Sequence, residues 1–285
     1  MTMSLQRACR STGEAVGELP TQQQEEKQIV IRIKNITKEY GDDLTSRVQA
    51  LKGVDLTIAR GELVTLVGPS GCGKSTLLNL IAGLDTFTSG EIEVEGKRVS
   101  GPLQIGYVLQ QDTLLPWRNV QTNAEFALEI AGVAPKERRE IASTWLNKLG
   151  LGRFALHYPY QLSGGMRKRL QLAAVLAVEP RILLMDEPFG PLDAQTRTLI
   201  EDDFLRLWRD VGMTVVFVTH DLAEAIAMST RVVIVSARPG RVKSQYAIDL
   251  PDGLSTTDRK LDPKFQELFS HIWDDLRHEV GSRLD

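Results

Sequence analysis

The stretch that decides the fold is "ELVTLVGPSGCGKSTLLNLIAG" at residues 62–83, in which an apolar run leads directly into glycines. Residues 68–76 fit the pattern G-x-x-x-x-G-K-[ST], and we predict a buried strand before them and a helix after them. In this context, successive backbone N–H groups and the helix N-terminus attract phosphate oxygens. The stretch therefore predicts a loop that binds the phosphates of ATP or GTP.

Individual side chains of this loop have predicted roles. Lys74 is placed to reach the β- and γ-phosphates, and the Ser75 hydroxyl is placed to bind Mg²⁺. Cys72 is interpreted as a small filler residue rather than a redox sensor. The predicted nucleotide-binding residues are Gly68, Pro69, Ser70, Gly71, Cys72, Gly73, Lys74, Ser75 and Thr76.

Two carboxylates follow a second buried run, "ILLMDEP" at 182–188. Carboxylates at the end of an apolar strand are costly unless a cation is near. Asp186 is placed to hold Mg²⁺, directly or through water. Glu187 is then free to orient or deprotonate an attacking water, a role that contributes roughly 10²–10⁴-fold in rate.

Further apolar runs extend this pattern on the C-terminal side. "RILLMD" at 181–186, "MTVVFVTH" at 213–220 and "RVVIVSA" at 231–237 are continuous, as in strands covered on both faces. Helices are predicted between them, at about 192–211 and 221–228. This alternation predicts a mostly parallel sheet in an α/β core.

Three other regions have a different character. "GEIEVEGKRV" at 90–99 reads as an antiparallel hairpin, and residues 112–166 carry helical spacing at 120–132 and 136–149. In the tail, Asp262 and Pro263 suit a helix start. One face of that helix would carry Phe265, Leu268, Phe269, Ile272, Trp273, Leu276 and Val280, and we expect it to dock on its own chain rather than on a partner. The predicted boundaries are a disordered tail at 1–28, a main domain at 29–250 and a C-terminal helical extension at 251–285.

Composition limits the function. The 285 residues have a net charge of -3, which does not argue for nucleic acid. Cys9 and Cys72 are expected to be free thiols in a reducing compartment. No apolar run approaches the roughly 18 residues of a membrane-spanning helix, so we expect any membrane connection to come through a partner.

A second paired glycine, in "LSGGM" at 162–166, completes an ordered set of motifs. With the phosphate loop and "LLMDEP" at 183–188, the set includes "LQQD" at 109–112, "GPLD" at 190–193 and "VTHD" at 218–221. Over residues 29–250 the chain resembles the ATPase subunit of an ATP-binding cassette (ABC) transporter. The resemblance implies a P-loop NTPase fold with a RecA-like, mostly parallel sheet, an antiparallel β edge, a helical insert at about 112–166 and the C-terminal extension.

The resemblance also implies an assembly. Two cassettes would pair head to tail as a homodimer, and the loop with Ser163, Gly164 and Gly165 would face the γ-phosphate held by the opposite chain. This loop has small residues and N–H donors but no lysine of the phosphate-loop kind, so it completes a site rather than builds one. Asp193 is expected at the dimer interface. ATP and Mg²⁺ are the expected cofactors.

Three more roles come from the resemblance. Gln110 should contact Mg²⁺ and the attacking water, His220 should touch the γ-phosphate, and Tyr40 should stack on adenine. With Glu187 and Lys74, Gln110 and His220 make up the expected catalytic set, and the metal set is Ser75, Gln110 and Asp186. The departures from the family pattern are Met166, Lys168, Leu109 and Pro191, none of which removes a catalytic group.

The segment "LLPWRNV" at 114–120, with "LSGGMRKR" and the tail, resembles importers for nitrate, sulfonates and taurine. Such a chain would lie on the cytoplasmic face of the inner membrane as a peripheral subunit. A separate permease would dock near Leu115–Trp117, although both side chains could instead only pack the helical insert. A periplasmic or lipid-anchored solute-binding protein would act indirectly. Taurine or sulfonate, nitrate, and a pyrimidine precursor of thiamine all stay open as solutes.

Other classes remain as alternatives. A non-transport cassette ATPase that acts on nucleic acid or ribosomes usually carries two cassettes or long coiled-coil inserts, and this chain has one set of motifs. A nucleotide-binding regulator without hydrolysis is disfavoured by Glu187 and His220. An exporter is disfavoured because its cassettes are commonly fused to membrane helices.

Overall fold

The computed structural model describes residues 28–41 and 47–281 of the chain. The predicted disordered tail at 1–28 lies outside the described residues apart from Gln28, and so does Cys9. The strands are β1 (Ile29–Tyr40), β2 (Val48–Ala59), β3 (Leu63–Val67), β4 (Ser89–Val94), β5 (Lys97–Arg98), β6 (Gly106–Val108), β7 (Ile182–Asp186), β8 (Thr214–Thr219), β9 (Arg231–Val235) and β10 (Val242–Ala247). The helices are α1 (Lys74–Ile81), α2 (Val120–Ala124), α3 (Phe126–Ile130), α4 (Pro135–Lys148), α5 (Gly164–Leu176), α6 (Ala194–Val211), α7 (Leu222–Met228), α8 (Thr256–Leu261) and α9 (Pro263–Gly281).

The central sheet of the described residues joins six strands in the order β10-β9-β3-β8-β7-β6. All neighbours are parallel except β10, which runs antiparallel to β9. Every residue of β3 and β8 is buried, as expected for strands covered on both faces. Parallel strands end at one edge of a sheet, so the loops after β3, β7 and β8 come together there.

A four-stranded sheet lies beside this core, in the order β2-β1-β4-β5. Its pairs are antiparallel, and β4 and β5 form the predicted hairpin. Ile31 of β1 and Leu77 of α1 share one apolar cluster with Val64 of β3, so α1 fills the space between the two sheets. Strand β2 pairs with β1 along its whole length, from Ala59 opposite Ile29 to Val48 opposite Tyr40.

Helices α2 to α4 occupy the region with helical spacing, and α5 begins at its C-terminal end. The single helix expected at 120–132 is divided into α2 and α3 at Glu125, and the helix expected at 136–149 is α4. Trp145 and Leu170 belong to one apolar cluster with Leu183 and Val215 of the sheet. This face of the sheet therefore carries the helical insert, and the predicted fold class is confirmed.

The C-terminal helix α9 docks on its own chain, as predicted. Phe265, Ile272 and Leu276 are buried in a cluster with Leu222 and Ile226 of α7. The short helix α8 before it was not predicted from the sequence.

Trp273 departs from the expected buried face of α9, since its side chain is 44% exposed. It stacks on Phe269 at 6.3 Å instead. Helical periodicity places Trp273 at the edge of the apolar stripe, where another ring rather than the core covers it.

Candidate functional site

The phosphate loop folds around its own lysine. Lys74 is 5% exposed at the start of α1, and its Nζ donates to the carbonyl oxygens of Gly68 at 2.8 Å and Pro69 at 3.1 Å. The Cys72 Sγ lies 3.8 Å from the same nitrogen. An ammonium group has three donors, so the loop holds a buried cation on weak, neutral acceptors that anionic oxygens would replace.

Gly73 gives the loop its shape immediately before Lys74. Its φ of +101° is in the left-handed region, and a Cβ there would lie 2.7 Å from Leu51 Cδ2 and 2.9 Å from the Ala50 carbonyl oxygen. A larger residue would meet both the backbone strain and the contact with β2. Strand β2 therefore packs against the loop at a position where only glycine fits.

Ser75, which belongs to the phosphate loop after β3, contacts Asp186, the last residue of β7. The Ser75 hydroxyl donates to Asp186 Oδ1 at 3.0 Å. Burial raises the pKa of Asp186, the Ser75 hydroxyl opposes that shift, and the negative charge of Glu187 adds to it. A cation at this position would relieve the desolvation of the carboxylate.

This pair fits Mg²⁺. Magnesium is usually held by one or two protein oxygens, with phosphate oxygens and water supplying the rest of its ligands. Among the described residues no group of three or more His, Cys, Asp and Glu side chains could hold a metal by itself. The site therefore suits a metal that arrives with a phosphate ligand.

The Glu187 carboxylate contacts two other predicted catalytic residues. Its Oε2 accepts from Gln110 Nε2 at 3.2 Å and lies 3.1 Å from His220 Nδ1. Its φ of +42° is left-handed, which is uncommon for a residue with a side chain and concentrates at functional sites. The Glu187 N–H donates to the Val218 carbonyl at 2.9 Å, so β8 holds this backbone in place.

An open cleft of about 340 Å³ lies in front of these groups, at the lower end of the usual size for small-ligand sites. Its lining consists of Tyr40, Ala50, Ser70, Gly71, Gly73, Lys74, Ser75, Thr76, Gln110, Glu187 and Arg238. Seven predicted nucleotide-binding residues and two further predicted catalytic ones thus surround one space. Asp186 reaches it through Ser75, and His220 through Glu187.

Tyr40 and Arg238 stand at opposite ends of the chain but line the same cleft. The Tyr40 hydroxyl donates to Asp85 Oδ2 at 2.8 Å, and Lys38 Nζ lies 4.5 Å from its ring centroid. Arg238 was missed by the sequence analysis. It follows β9, which is parallel to β3, so the position of a basic residue just after a strand at the loop-bearing edge was the available signal.

The second glycine loop stands apart from this cleft. Among the described residues that line the cleft, none belongs to 162–166. Ser163 caps α5, with its hydroxyl accepting from the Met166 N–H at 3.3 Å. A Cβ at Gly165 would lie 2.4 Å from Thr196 Cγ2, so the loop is packed closely against the first turn of α6.

Asp193 is exposed beside this loop and caps α6. Its Oδ1 accepts from the Thr196 N–H at 3.0 Å, and that backbone donor lowers the pKa of the carboxyl. Gly165 and Asp193 therefore both meet Thr196. Within one chain, the exposed Asp193 therefore lies beside a loop whose second glycine is buried and which carries no lysine.

The predicted docking segment is on the surface of the helical insert. Trp117 is 72% exposed, and Leu115 is half-buried. The Leu115 N–H donates to Asn123 Oδ1 at 2.8 Å, which ties the segment to α2. No described helix has the length and apolar character needed to cross a membrane.

The family model described as ABC transporter matches residues 51–190. An uncharacterized ABC transporter ATP-binding protein of Methanocaldococcus jannaschii is 47% identical over 223 residues, which are 78% of this chain and 83% of that protein. The taurine import ATP-binding protein TauB of Escherichia coli K12 is 43% identical over 248 residues, 85% of this chain and 95% of that protein.

A solved structure with similar architecture is a dimer of the ATP-binding cassette MJ0796 in a post-hydrolysis state, bound to ADP and Pi. Its TM-score is 0.68 at 35% sequence identity, over 77% of this chain and 99% of that one. A second dimeric structure of the same cassette matches with 36% identity.

Proposed function

The chain belongs to the ATP-binding subunits of ABC transporters, and from this premise we propose that it powers the import of a small sulfonate-like solute through a separate permease. As a member of this family the chain binds and hydrolyses ATP. The proposal concerns the residues that do this, the metal, the partners and the solute. The main observation in its support is the arrangement around Glu187. Its carboxylate contacts both Gln110 and His220 and lies beside the Ser75–Asp186 pair.

We assign nucleotide binding to the phosphate loop and Tyr40. Lys74 would exchange the carbonyl oxygens of Gly68 and Pro69 for β- and γ-phosphate oxygens, which are stronger acceptors because they are charged. The N–H groups of the loop would surround the same phosphates. Tyr40, exposed at the rim and fixed by Asp85, is placed to cover the base.

Ser75 and Asp186 would hold Mg²⁺, with Gln110 beside them as the third predicted ligand. The bound metal would neutralise charge on the transferred phosphoryl group. The half-buried Asp186 carboxylate gains most from this arrangement, because burial and the charge of Glu187 both raise its pKa. The two protein oxygens already lie within hydrogen-bond distance of each other.

Glu187 is the proposed general base. A base must lie within about 2.6–3.2 Å of the group whose proton it takes, and the carboxylate faces the cleft from the end of β7. Gln110 donates to the oxygen that also faces His220. The two side chains therefore orient one carboxylate oxygen and would place water and γ-phosphate on the same side of it.

We propose that two copies of the chain complete each site. Ser163, Gly164 and Gly165 lie outside their own cleft and offer N–H donors at the start of α5. An exposed helix N-terminus favours an anion. In a head-to-tail homodimer that anion would be the γ-phosphate on the partner, with Asp193 alongside at the interface. The dimeric cassette structures support this pairing.

The membrane partner is proposed to be a permease that docks at Leu115–Trp117. An exposed tryptophan next to a half-buried leucine is the type of surface that binds an apolar segment of a partner. The similarity to taurine import proteins favours taurine or another sulfonate over nitrate or a pyrimidine. Such a subunit would act at the cytoplasmic face of the inner membrane, with a solute-binding protein on the other side.

The proposed function is tested with Glu187→Gln. We expect ATP hydrolysis to fall by about 10²–10⁴-fold, the usual contribution of a positioned base, while ATP still binds. The variant should run as a dimer with ATP and as a monomer without nucleotide in size-exclusion chromatography with light scattering.

Glu137→Gln, on the exposed first turn of α4, is the matched control and should keep wild-type turnover. A Glu187→Gln chain that hydrolyses ATP at the wild-type rate would disprove the role of Glu187. A chain that stays monomeric with bound ATP would disprove the paired site. The solute is tested by competition between taurine and nitrate for ATP-driven uptake in vesicles that contain the permease.

A further inference from the structure

Helix α5 is tied to the residues around Gln110 by a row of side chains that the proposed chemistry does not use. We call residues 109–113 the Gln110 segment. Gln171 Nε2 donates to the Gln111 carbonyl at 2.9 Å and to Thr113 Oγ1 at 3.2 Å. The helix thus grips the backbone of the segment on one side.

Lys168 is the central group of this contact. Its Nζ donates to Gln171 Oε1 at 2.6 Å and to the Leu109 carbonyl at 3.4 Å. The residue is 6% exposed, an unusual environment for a lysine. Its acceptors are neutral oxygens, so the ammonium is held by hydrogen bonds rather than by a direct ion pair.

Two charged groups stand beside Lys168. Asp112 comes from the opposing Gln110 segment and Arg167 from α5 itself, and they pair with each other at 3.0 Å. Burial lowers the pKa of Lys168 to about 8, and the charge of Asp112 partly opposes that shift. Burying an ammonium group among neutral acceptors costs free energy. We therefore expect Lys168 to have a functional role.

The position of the contact between Lys168 and the Gln110 segment suggests what this role is. Leu109 directly precedes Gln110, whose amide donates to Glu187. Helix α5 begins at the Ser163–Gly165 loop, about one turn before Lys168. The same side chain therefore connects the segment that serves the chain's own nucleotide with the helix that would serve the partner's nucleotide.

We propose that Lys168 is a positioning residue, which fixes the Gln110 segment on α5 so that Gln110 keeps its place against Glu187 when the loop of α5 engages the partner. This inference rests on the proposed roles of Gln110 and of the paired site. It assigns to Lys168 a part in the rate of hydrolysis and none in holding nucleotide.

Steady-state ATP hydrolysis by the full chain tests the proposal. Lys168→Met removes both hydrogen bonds, and kcat should fall about tenfold with KM for ATP unchanged, since a small misplacement of a catalytic group can cost up to about 10²-fold. Lys168→Arg keeps a charged donor and should restore most of the rate. Lys136→Met, at an exposed lysine on α4, is the control and should match the wild type.

The pH profile separates positioning from simple support of the fold. The wild-type kcat should decline with an apparent pKa near 8 as Lys168 loses its proton, because hydrogen bonds from a charged donor are about twice as strong as neutral ones. The decline should be absent in Lys168→Arg, which stays charged. Burial also raises the pKa of Glu224 to about 8, so a decline that persists in Lys168→Arg would be assigned to Glu224 and would overturn the inference.

Gln110→Ala, measured in parallel, separates this inference from the proposed function. If Gln110→Ala lowers kcat and Lys168→Met does not, the proposed function stands and the inference fails. If Gln110→Ala leaves kcat unchanged, the proposed role of Gln110 fails and the inference falls with it. A drop in kcat for Lys168→Met that follows an equal loss of folded protein, seen by thermal unfolding and not rescued by arginine, would also overturn it.

Discussion

The chain has two glycine loops at helix starts, and they are built for different tasks. The phosphate loop buries Lys74 on two of its own carbonyl groups and stands beside Asp186 and Glu187. The loop at 162–166 has a serine cap and a glycine packed on Thr196. Its nearest lysine, Lys168, points away to the Gln110 segment. A helix N-terminus alone attracts an anion weakly, so only the first loop is equipped to hold one by itself.

This difference separates nucleotide binding, which the first loop can perform within one chain, from assembly of the paired site, which needs the second loop. A loop with a buried cation is complete within one chain, whereas a loop with only backbone donors needs an anion that something else already holds. The two loops should therefore respond in different ways to mutation. The first should control affinity for nucleotide and the second should control turnover, which is a property of the pair.

Among variants of the two loops, the largest expected effect is at Lys74. Lys74→Ala removes a buried charged donor, and hydrogen bonds to charged groups are worth about 1.5–3 kcal/mol. We expect the Kd for ATP to rise by about 10- to 150-fold, at 1.4 kcal/mol per factor of ten. Isothermal titration of the monomeric chain measures it, with Lys136→Ala, an exposed lysine, as the control.

Ser163→Ala is the comparison for that result. The affinity of the monomer for ATP should stay at the wild-type value, while hydrolysis falls. Equal losses of affinity in Lys74→Ala and Ser163→Ala would mean that both loops bind the same nucleotide within one chain, and the contrast between them would be wrong.

A smaller effect is expected at Gly165. The contact of its missing Cβ with Thr196 Cγ2, 2.4 Å, leaves no room for a methyl group. Gly165→Ala should destabilise the fold by about 1–3 kcal/mol, as overpacking does, and lower turnover without changing the Kd for ATP. Denaturant unfolding and the ATPase rate measure the two effects.

Matched variants make this prediction specific. Gly164→Ala meets only Leu192 at 3.7 Å, an ordinary contact, so it should cost little stability. Adding Thr196→Ala to Gly165→Ala removes the colliding methyl group and should recover stability, which a double-mutant cycle would measure. No coupling between 165 and 196 would contradict the close packing of α5 on α6.

Much of this contrast was predictable from the sequence because it depends on local chemistry. The phosphate loop, the buried runs and the two carboxylates of "LLMDEP" are each read from adjacent residues, and the fold class they predict is confirmed. Individual site roles, from Tyr40 to His220, stay predictions. For most of them the structure adds a shared cleft and the contacts of Glu187.

What the sequence could not predict depends on contacts between distant segments. Arg238 reaches the cleft only because β9 lies next to β3 in the sheet. Trp273 has the spacing of a buried residue but lies at the edge of the stripe on α9. Lys168 is one of the departures from the family pattern. Its role can be inferred only from the fold, in which it is buried and donates to the Leu109 carbonyl.

A pair of buried carboxyls lies on two other helices, α6 and α7. Glu201 of α6 is 1% exposed and Glu224 of α7 is 5% exposed. These helices begin next to Asp193 and His220, respectively. The Lys260 Nζ lies 3.9 Å from Glu201. Burial raises the pKa of both carboxyls, that of Glu224 to about 8.

The smallest expected effect follows from this pair. A carboxyl with a raised folded pKa keeps its proton longer in the folded state than in the unfolded state. Its stabilising contribution is therefore complete below the unfolded pKa, near 4.5, and is lost as the pH rises through about 8. The free energy of unfolding should decline across this window with a slope of at most about 1.4 kcal/mol per pH unit from one group.

Glu224→Gln removes the titrating group and should flatten this decline in urea unfolding between pH 5 and 9. Glu137→Gln, at an exposed position on α4, should leave the slope as in the wild type. ATP affinity should be nearly constant over the same pH range in both variants, because the two carboxyls lie on α6 and α7 and not in the phosphate loop. A wild-type slope in Glu224→Gln would show that Glu224 is ionised in the folded chain, with its charge offset by Arg197 or Lys260, and would make the raised pKa wrong.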